Sequence, residues 1–99
     1  MRTLLTLTLP VETSNAAVKD GRLARVLQTT IETLKPEAAY FAPIGGKRAA
    51  MLFFDLRDPS DIPVICEPLF AELDASVQIT PVMNAEDLRA GLDRAAKKR

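Results

Sequence analysis

Residues 38–56 read AAYFAPIGGKRAAMLFFDL, two runs of aliphatic and aromatic residues on either side of a glycine pair. Because glycines adopt positive φ angles without steric cost, the pair Gly45-Gly46 favours a two-residue turn between antiparallel strands. The sequence therefore predicts a β-hairpin of residues 38–44 and 47–56, with Tyr40 opposite Met51. Alternation then divides the side chains between two faces. One face carries Ala38, Tyr40, Met51, Phe53 and Asp55, and the other carries Ala39, Phe41, Ala50, Leu52, Phe54 and Leu56.

The segments on both sides of this hairpin alternate between strand and helix patterns. Leucines at positions 5, 7 and 9 alternate with Leu4, Thr6 and Thr8, which predicts a first strand with one dry face. Helical spacing occurs over residues 18–34 and 62–73, a fourth strand is predicted at residues 76–81, and a short polar helix follows. The order β-α-β-β-α-β predicts an α+β sandwich, a four-stranded antiparallel sheet with both long helices on one face.

Glycine, proline and capping residues mark where the helices break and begin. Gly21 either separates a short first turn from the main helix or lies within one helix at a cost of about 1 kcal/mol. Pro68 lies inside the second long helix and removes a hydrogen bond there, so we expect a kink or a new start beside Glu67. Asn84 and Asp87 have the spacing of a capping box, which predicts where the last helix begins.

Length, composition and charge are typical of one ordinary globular domain. The chain has 99 residues, of which 47% are hydrophobic and 26% charged, and chains of this size bury roughly 60 to 70% of their unfolded surface. We expect a single domain over residues 1–99, with residues 94–99 as a basic frayed tail. Because 13 basic residues balance 13 acidic ones, nucleic acid receives no electrostatic attraction.

An RNA-binding domain shares this order of elements and is the main alternative class to exclude. Such domains place aromatic side chains on an exposed sheet within a basic surface. Here the third strand reads KRAAMLFFD over residues 47–55, with one phenylalanine on the open face beside an aspartate. Together with the zero net charge, this pattern predicts no nucleic-acid partner.

The cysteine content and the N-terminal segment bear on location. Cys66 is the single cysteine, so no internal disulfide forms, which fits the reducing cytoplasm. Threonines interrupt the apolar run of residues 4–9 and no small-residue cleavage site follows, so we expect a strand rather than a signal peptide. No stretch approaches the roughly 20 apolar residues that span a bilayer. We expect a cytoplasmic protein without a membrane partner.

The residues that several classes of catalytic and metal-binding site require are absent from this chain. The chain contains no histidine, which excludes histidine-ligated metal or haem, serine-histidine triads and cysteine-histidine pairs. Cys66 has no partner thiol and lies on an apolar helical pattern, so its expected role is packing. Gly45-Gly46 is not followed by a helix that would receive phosphate. We expect neither a cofactor nor a metal.

The sheet face away from the helices is predicted to be too apolar to remain in contact with water. It would carry Leu4, Tyr40, Met51 and Phe53, a large patch for a small monomer. Self-association buries this patch, so we expect a homodimer with a two-fold axis and its sheets facing each other.

Several short motifs give the chain a resemblance to a known family. They are Asn15, residues 35–41 (KPEAAYF), Arg48, residues 67–70 (EPLF) and residues 81–83 (PVM). Together with the order of elements they resemble a group of small bacterial proteins with ferredoxin-like, dimeric α+β barrel folds, over nearly the whole chain. The resemblance implies a ferredoxin-like sandwich that dimerises. The wider superfamily includes cofactor-free monooxygenases, haem-degrading enzymes, isomerases and ligand sensors. Those enzymes often use histidine, tryptophan or asparagine in the barrel cleft, and this chain has neither histidine nor tryptophan.

Two functions follow from these patterns. The first is a homodimer that binds a small, mainly apolar molecule between sheet and helices, as a sensor or carrier. The second is a cofactor-free enzyme, isomerase or monooxygenase-like, that uses Tyr40 with the carboxylate of Asp55 or Glu67 for proton transfer. A carboxylate with a raised pKa in an apolar pocket would favour the enzyme.

A small set of polar side chains near the open face and the ends of the elements supplies the candidate site. Arg48 is expected to hold an anionic group, and Tyr40 to donate a hydrogen bond. Each has a structural alternative, because Tyr40 is also typical of a packed interface and Arg48 of a surface ion pair. The candidate ligand-binding residues are Tyr40, Arg48, Asp55, Glu67 and Asn15, with Thr6 and Thr8 beside them.

Overall fold

The chain folds into four strands and four helices in the computed structural model, which describes residues 1–98. The strands are β1 (Arg2–Thr8), β2 (Ala38–Ile44), β3 (Lys47–Asp55) and β4 (Ser76–Pro81). The helices are α1 (Val11–Lys19), α2 (Arg22–Leu34), α3 (Asp61–Leu73) and α4 (Ala85–Lys97). The predicted α+β class with one antiparallel sheet is confirmed.

All four strands pair in one antiparallel sheet in the order β2-β3-β1-β4. The central strands are therefore β1 and β3, and the edges are β2 and β4. Strand β3 lies between β1 and β2, the two strands that α1 and α2 connect. Strand β1 likewise lies between β3 and β4, which α3 connects. Pro81 ends the edge strand β4, where a missing N–H donor is tolerated.

The β2–β3 hairpin has the predicted turn and register. Gly45 and Gly46 both have positive φ angles, 60° and 77°, and Tyr40 lies opposite Met51. The predicted faces follow from this register, with one exception in the degree of burial. Phe41 belongs to the helix-side face, yet its side chain is 55% exposed, because a cleft opens beside it.

The core lies between the sheet and helices α1, α2 and α3. Leu5, Leu7 and Leu52 of the central strands are at most 1% exposed, and Leu9 just beyond β1 is also buried. The alternation predicted for β1 is confirmed, since its threonines at positions 6 and 8 are only half-buried. Cys66 is buried on α3, as predicted. The helices contribute Ala17, Val26, Leu69 and Leu73 to this core.

A residue in the left-handed conformation separates the first two helices. Gly21 has a φ of 81°. This backbone conformation is strained for residues other than glycine. The Oδ1 of Asp20 accepts a hydrogen bond from the backbone N–H of Arg22 at 2.9 Å, which helps to start α2. Of the two interpretations of Gly21, the break between two helices is therefore correct.

Helix α3 runs from Asp61 to Leu73 with Pro68 inside it. The new start expected beside Glu67 is therefore wrong. Proline leaves the carbonyl four residues earlier, that of Val64, without its helical hydrogen bond. Val64 and Pro68 are both exposed, so the missing hydrogen bond lies on the solvent side of α3, and the opposite side carries the buried residues Cys66, Leu69 and Leu73.

Helix α4 projects from the sandwich. Its capping box forms as predicted: Asn84 Oδ1 accepts from the Asp87 N–H at 2.8 Å, and Asp87 Oδ2 accepts from the Asn84 N–H at 3.1 Å. None of its residues is buried. The Cα radius of gyration is 16.0 Å, against about 13 Å for a compact domain of this size.

The basic segment expected to fray is helical as far as Lys97. Arg94 and Lys97 lie in the last turn of α4, where positive charge complements the helix dipole and stabilises the helix end. Residue 99 of the predicted tail lies outside the described residues. Within residues 1–98, no helix is both long enough and apolar enough to cross a bilayer.

The second face of the sheet is open, as predicted. Across the strands, Tyr40, Met51, Thr6 and Gln78 lie side by side. Met51 is half-buried, and Tyr40 is 61% exposed. Leu4 and Phe53 are half-buried neighbours in the adjacent row.

Candidate functional site

An apolar cleft opens between α2 and the end of the sheet next to the hairpin turn. Its volume is about 390 Å³, within the roughly 300 to 1,000 Å³ typical of small-molecule pockets. Residues 40–44 of β2 are exposed, so this end of the sheet extends past the helical layer. The apolar walls include Leu7, Leu9, Leu23, Leu27, Phe41 and Pro43.

Arg48 lies at this cleft, on the helix side of β3. Its Nη1 donates hydrogen bonds to Ser14 Oγ at 2.7 Å and to Asn15 Oδ1 at 3.0 Å. Its backbone carbonyl accepts from the Leu9 N–H at 3.0 Å. Ser14 is itself fully buried on α1. The backbone and the guanidinium of Arg48 are thus both fixed, the latter by helix α1.

The positive charge of Arg48 has no carboxylate beside it. Both of its side-chain partners are neutral, and none of the ion pairs found within residues 1–98 includes it. Among the described residues that line the cleft, Arg48 alone is charged. The site therefore combines a mainly apolar surface with one uncompensated cation.

The structure divides the five predicted ligand-binding residues among four places. Arg48 and Asn15 meet at the cleft. Tyr40 lies on the open sheet face, Asp55 at the opposite end of β3 from Arg48, and Glu67 on the exposed side of α3. A single site formed by all five is therefore not assembled, because the sheet separates Tyr40 from Arg48 and Glu67.

Tyr40 and the predicted carboxylates do not form a proton-transfer pair. Tyr40 is opposite Met51, and Asp55 lies four residues further along β3, which is about 13 Å in an extended strand. The amino group of Met1 donates a hydrogen bond to the Asp55 carboxylate, and this contact lowers the pKa of Asp55. A proton acceptor of the proposed enzyme needs a raised pKa instead. The enzyme interpretation thus loses the Tyr40–Asp55 pair.

Cys66 has the properties of a packing residue. Burial raises the pKa of its thiol, and the nearby Glu67 carboxylate adds to the effect. A raised pKa keeps the thiol protonated at neutral pH, and the protonated form is a poor nucleophile. Residues 1–98 also contain no cluster of three acidic, cysteine or histidine side chains that could hold a metal ion.

Sequence reasoning expected a ligand between sheet and helices, but it did not locate the cleft beside the hairpin turn or the role of Ser14 in positioning Arg48. A signal for Arg48 was present, because it lies two residues before Ala50, which the predicted register places on the helix side. The same alternation places Arg48 there rather than near the open face. No local pattern reveals the exposure of Phe41, which depends on where the helices lie over the sheet.

The fold and the cleft define a class: a small α+β protein with three helices on one sheet face and a ligand-sized apolar cleft beside a single fixed arginine. Neither a family model, nor a curated protein, nor a solved structure matches this chain. The family suggested by the short motifs therefore stays a prediction.

Proposed function

We propose that this protein is a homodimeric small-molecule-binding protein whose ligand occupies the cleft between α2 and the β2–β3 hairpin. The observation that carries this proposal is the apolar cleft of about 390 Å³ with the fixed Arg48 at its edge. A mainly apolar wall with a few placed polar groups is the usual composition of a ligand pocket. Covering the exposed ring of Phe41 would also remove apolar surface from water.

The same proposal includes a ferredoxin-like fold and the family of dimeric α+β barrel proteins that the short motifs resemble. In support, each β-α-β unit has one strand inserted between its two strands, the split arrangement of that fold. The break of the first crossover into α1 and α2 and the projecting α4 are additions in this chain. We place the protein in the cytoplasm, where the buried free thiol of Cys66 persists.

The surface that the monomer leaves accessible supports the homodimer. It amounts to 6801 Å², compared with about 5,500 Å² for a compact monomer of this mass. The excess exceeds the roughly 800 Å² that each partner buries in a standard interface. Apolar side chains contribute to this surface: Phe53 is half-buried on the open face, and Leu88 and Leu92 of α4 are 47% and 60% exposed. We propose that a second copy of the chain covers both the open sheet face and the exposed leucines of α4.

Replacing Phe41 with serine is expected to weaken binding of a neutral apolar probe by about fivefold or more, because one aromatic wall of the cleft is lost. The probe is 4-phenylbutyramide, titrated into ¹⁵N-labelled protein while backbone amide shifts are followed by NMR. Phe70→Ser is the matched control, since Phe70 is 40% exposed on α3, away from the cleft. Equal weakening in both variants, or no saturable shifts at the cleft in the wild-type protein, would contradict the proposal.

For the dimer, Phe53→Lys and Leu92→Lys are each expected to produce a monomer, because both place a charge in the proposed interface. Sedimentation equilibrium at about 100 µM, well above the dissociation constant of a micromolar dimer, should give twice the chain mass of 10.8 kDa for the wild type. Val64→Lys, at a position 68% exposed on α3, should stay dimeric. A wild-type protein that sediments as a monomer would refute the homodimer.

A further inference from the structure

We infer that the cleft selects small molecules that carry one carboxylate on a hydrocarbon body. The carboxylate binds the guanidinium of Arg48, and the hydrocarbon body packs against Leu23, Leu27 and Phe41. This inference rests on the proposed function and adds the chemical class of its ligand.

The donor groups of Arg48 support this class. A guanidinium has five N–H donors, and the contacts to Ser14 and Asn15 both come from Nη1. Within residues 1–98, Nε and Nη2 have no hydrogen-bond partner. These neighbouring nitrogens form the planar fork that binds both oxygens of one carboxylate.

The position of Arg48 is set before a ligand binds. Its carbonyl is held by the Leu9 N–H at 3.0 Å, and its Nη1 by Ser14 at 2.7 Å and Asn15 at 3.0 Å. A side chain that is already ordered loses less conformational freedom on binding. Holding a cation with neutral groups also leaves its charge available, whereas a carboxylate partner would compete with the ligand.

The charge and polarity of the cleft limit which kind of anion can bind there. Arg48 is the one charge among the described residues that line the cleft, so a monoanion balances it. A phosphate dianion would retain excess negative charge against an apolar wall, which is unfavourable. Leu23, Leu27 and Phe41 offer a hydrocarbon surface, so an apolar body on the carboxylate is also required for complementarity.

The test compares 4-phenylbutyrate with its neutral isostere 4-phenylbutyramide by the same NMR titration. We expect wild-type protein to bind the carboxylate about tenfold or more tightly than the amide, because charge-assisted bonds to arginine add that much affinity. Arg48→Gln should abolish the preference, because the uncharged glutamine side chain offers the carboxylate no charge-assisted hydrogen bond. Arg48→Lys should keep part of the preference, and Arg57→Gln, an exposed arginine beyond the other end of β3, should keep all of it.

The possible failures are distinguishable. Equal wild-type affinities for the two compounds, or a preference that survives Arg48→Gln, would overturn the inference and leave the proposed function intact. Absence of binding by both compounds would overturn the proposed function and the inference together. If Arg48→Gln loses both compounds because the cleft is disturbed, Arg48→Lys decides: a retained preference supports the inference, and equal affinities overturn it.

Discussion

Replacing Leu52 with alanine is expected to lower the free energy of unfolding by about 3 kcal/mol. Leu52 is 0% exposed in the central strand β3 and belongs to the core formed with helices α2 and α3. Truncation removes buried methyl groups and leaves a cavity that a strand paired on both sides cannot close. Since small domains have total stabilities of roughly 5 to 15 kcal/mol, the urea midpoint should fall by a large fraction.

Val64→Ala is the matched control for this prediction. Val64 is 68% exposed on α3, so its truncation should change the free energy of unfolding by no more than about 0.5 kcal/mol. Both variants are compared by urea unfolding followed by circular dichroism at one protein concentration, because dimerisation would add to the apparent stability. A Leu52→Ala variant as stable as Val64→Ala would show that the sheet and helices do not share one core.

Replacing Pro68 with alanine is expected to raise the free energy of unfolding by about 2 kcal/mol. Inside a helix, proline costs about 3 kcal/mol relative to alanine, and the loss of its restraint on the unfolded chain offsets about 0.4 to 1 kcal/mol of the gain. The new N–H at position 68 can donate to the Val64 carbonyl and complete the ladder of α3. Because Pro68 is exposed, the exchange leaves no cavity in the core.

Pro63→Ala tests whether the stabilisation expected from Pro68→Ala depends on the position of the proline within the helix. Pro63 is the third residue of α3, where the backbone N–H would have no helical acceptor in any case. Its replacement should change the free energy of unfolding by less than about 0.5 kcal/mol, as measured by urea unfolding beside Pro68→Ala. Pro68 lines the groove between α2 and α3. A lower free energy of unfolding for Pro68→Ala would mean that packing of the proline ring in this groove stabilises the fold.

The hairpin, β1 and the start of α4 could all be predicted from nearby residues. Gly45-Gly46 determines the turn because few other residues adopt two successive positive φ angles, and the turn determines the register of Tyr40 with Met51. The capping box of Asn84 and Asp87 is equally local. Of the two alternatives expected at Pro68, the new start of α3 was wrong, because packing of the buried side of α3 outweighs the cost of one lost hydrogen bond.

The candidate site was less predictable than these elements. The predicted group of five residues combined Tyr40 with Arg48, although strand alternation alone already places them on opposite faces of the sheet. That error was avoidable from the sequence. The contact of Arg48 with Ser14 joins residues far apart in the chain, and no spacing in the sequence indicates it.

Short-range patterns thus determine the strands, the turn, the helix boundaries at Gly21 and Asn84, and the two faces of the sheet, because each depends on φ preferences, alternation or capping among neighbouring residues. Tertiary packing decides the rest. The cleft exists because α2 leaves the hairpin end of the sheet uncovered at Phe41, and Arg48 is held there because α1 brings Ser14 to it. Such contacts depend on how whole elements pack, and that packing is a property of the complete core.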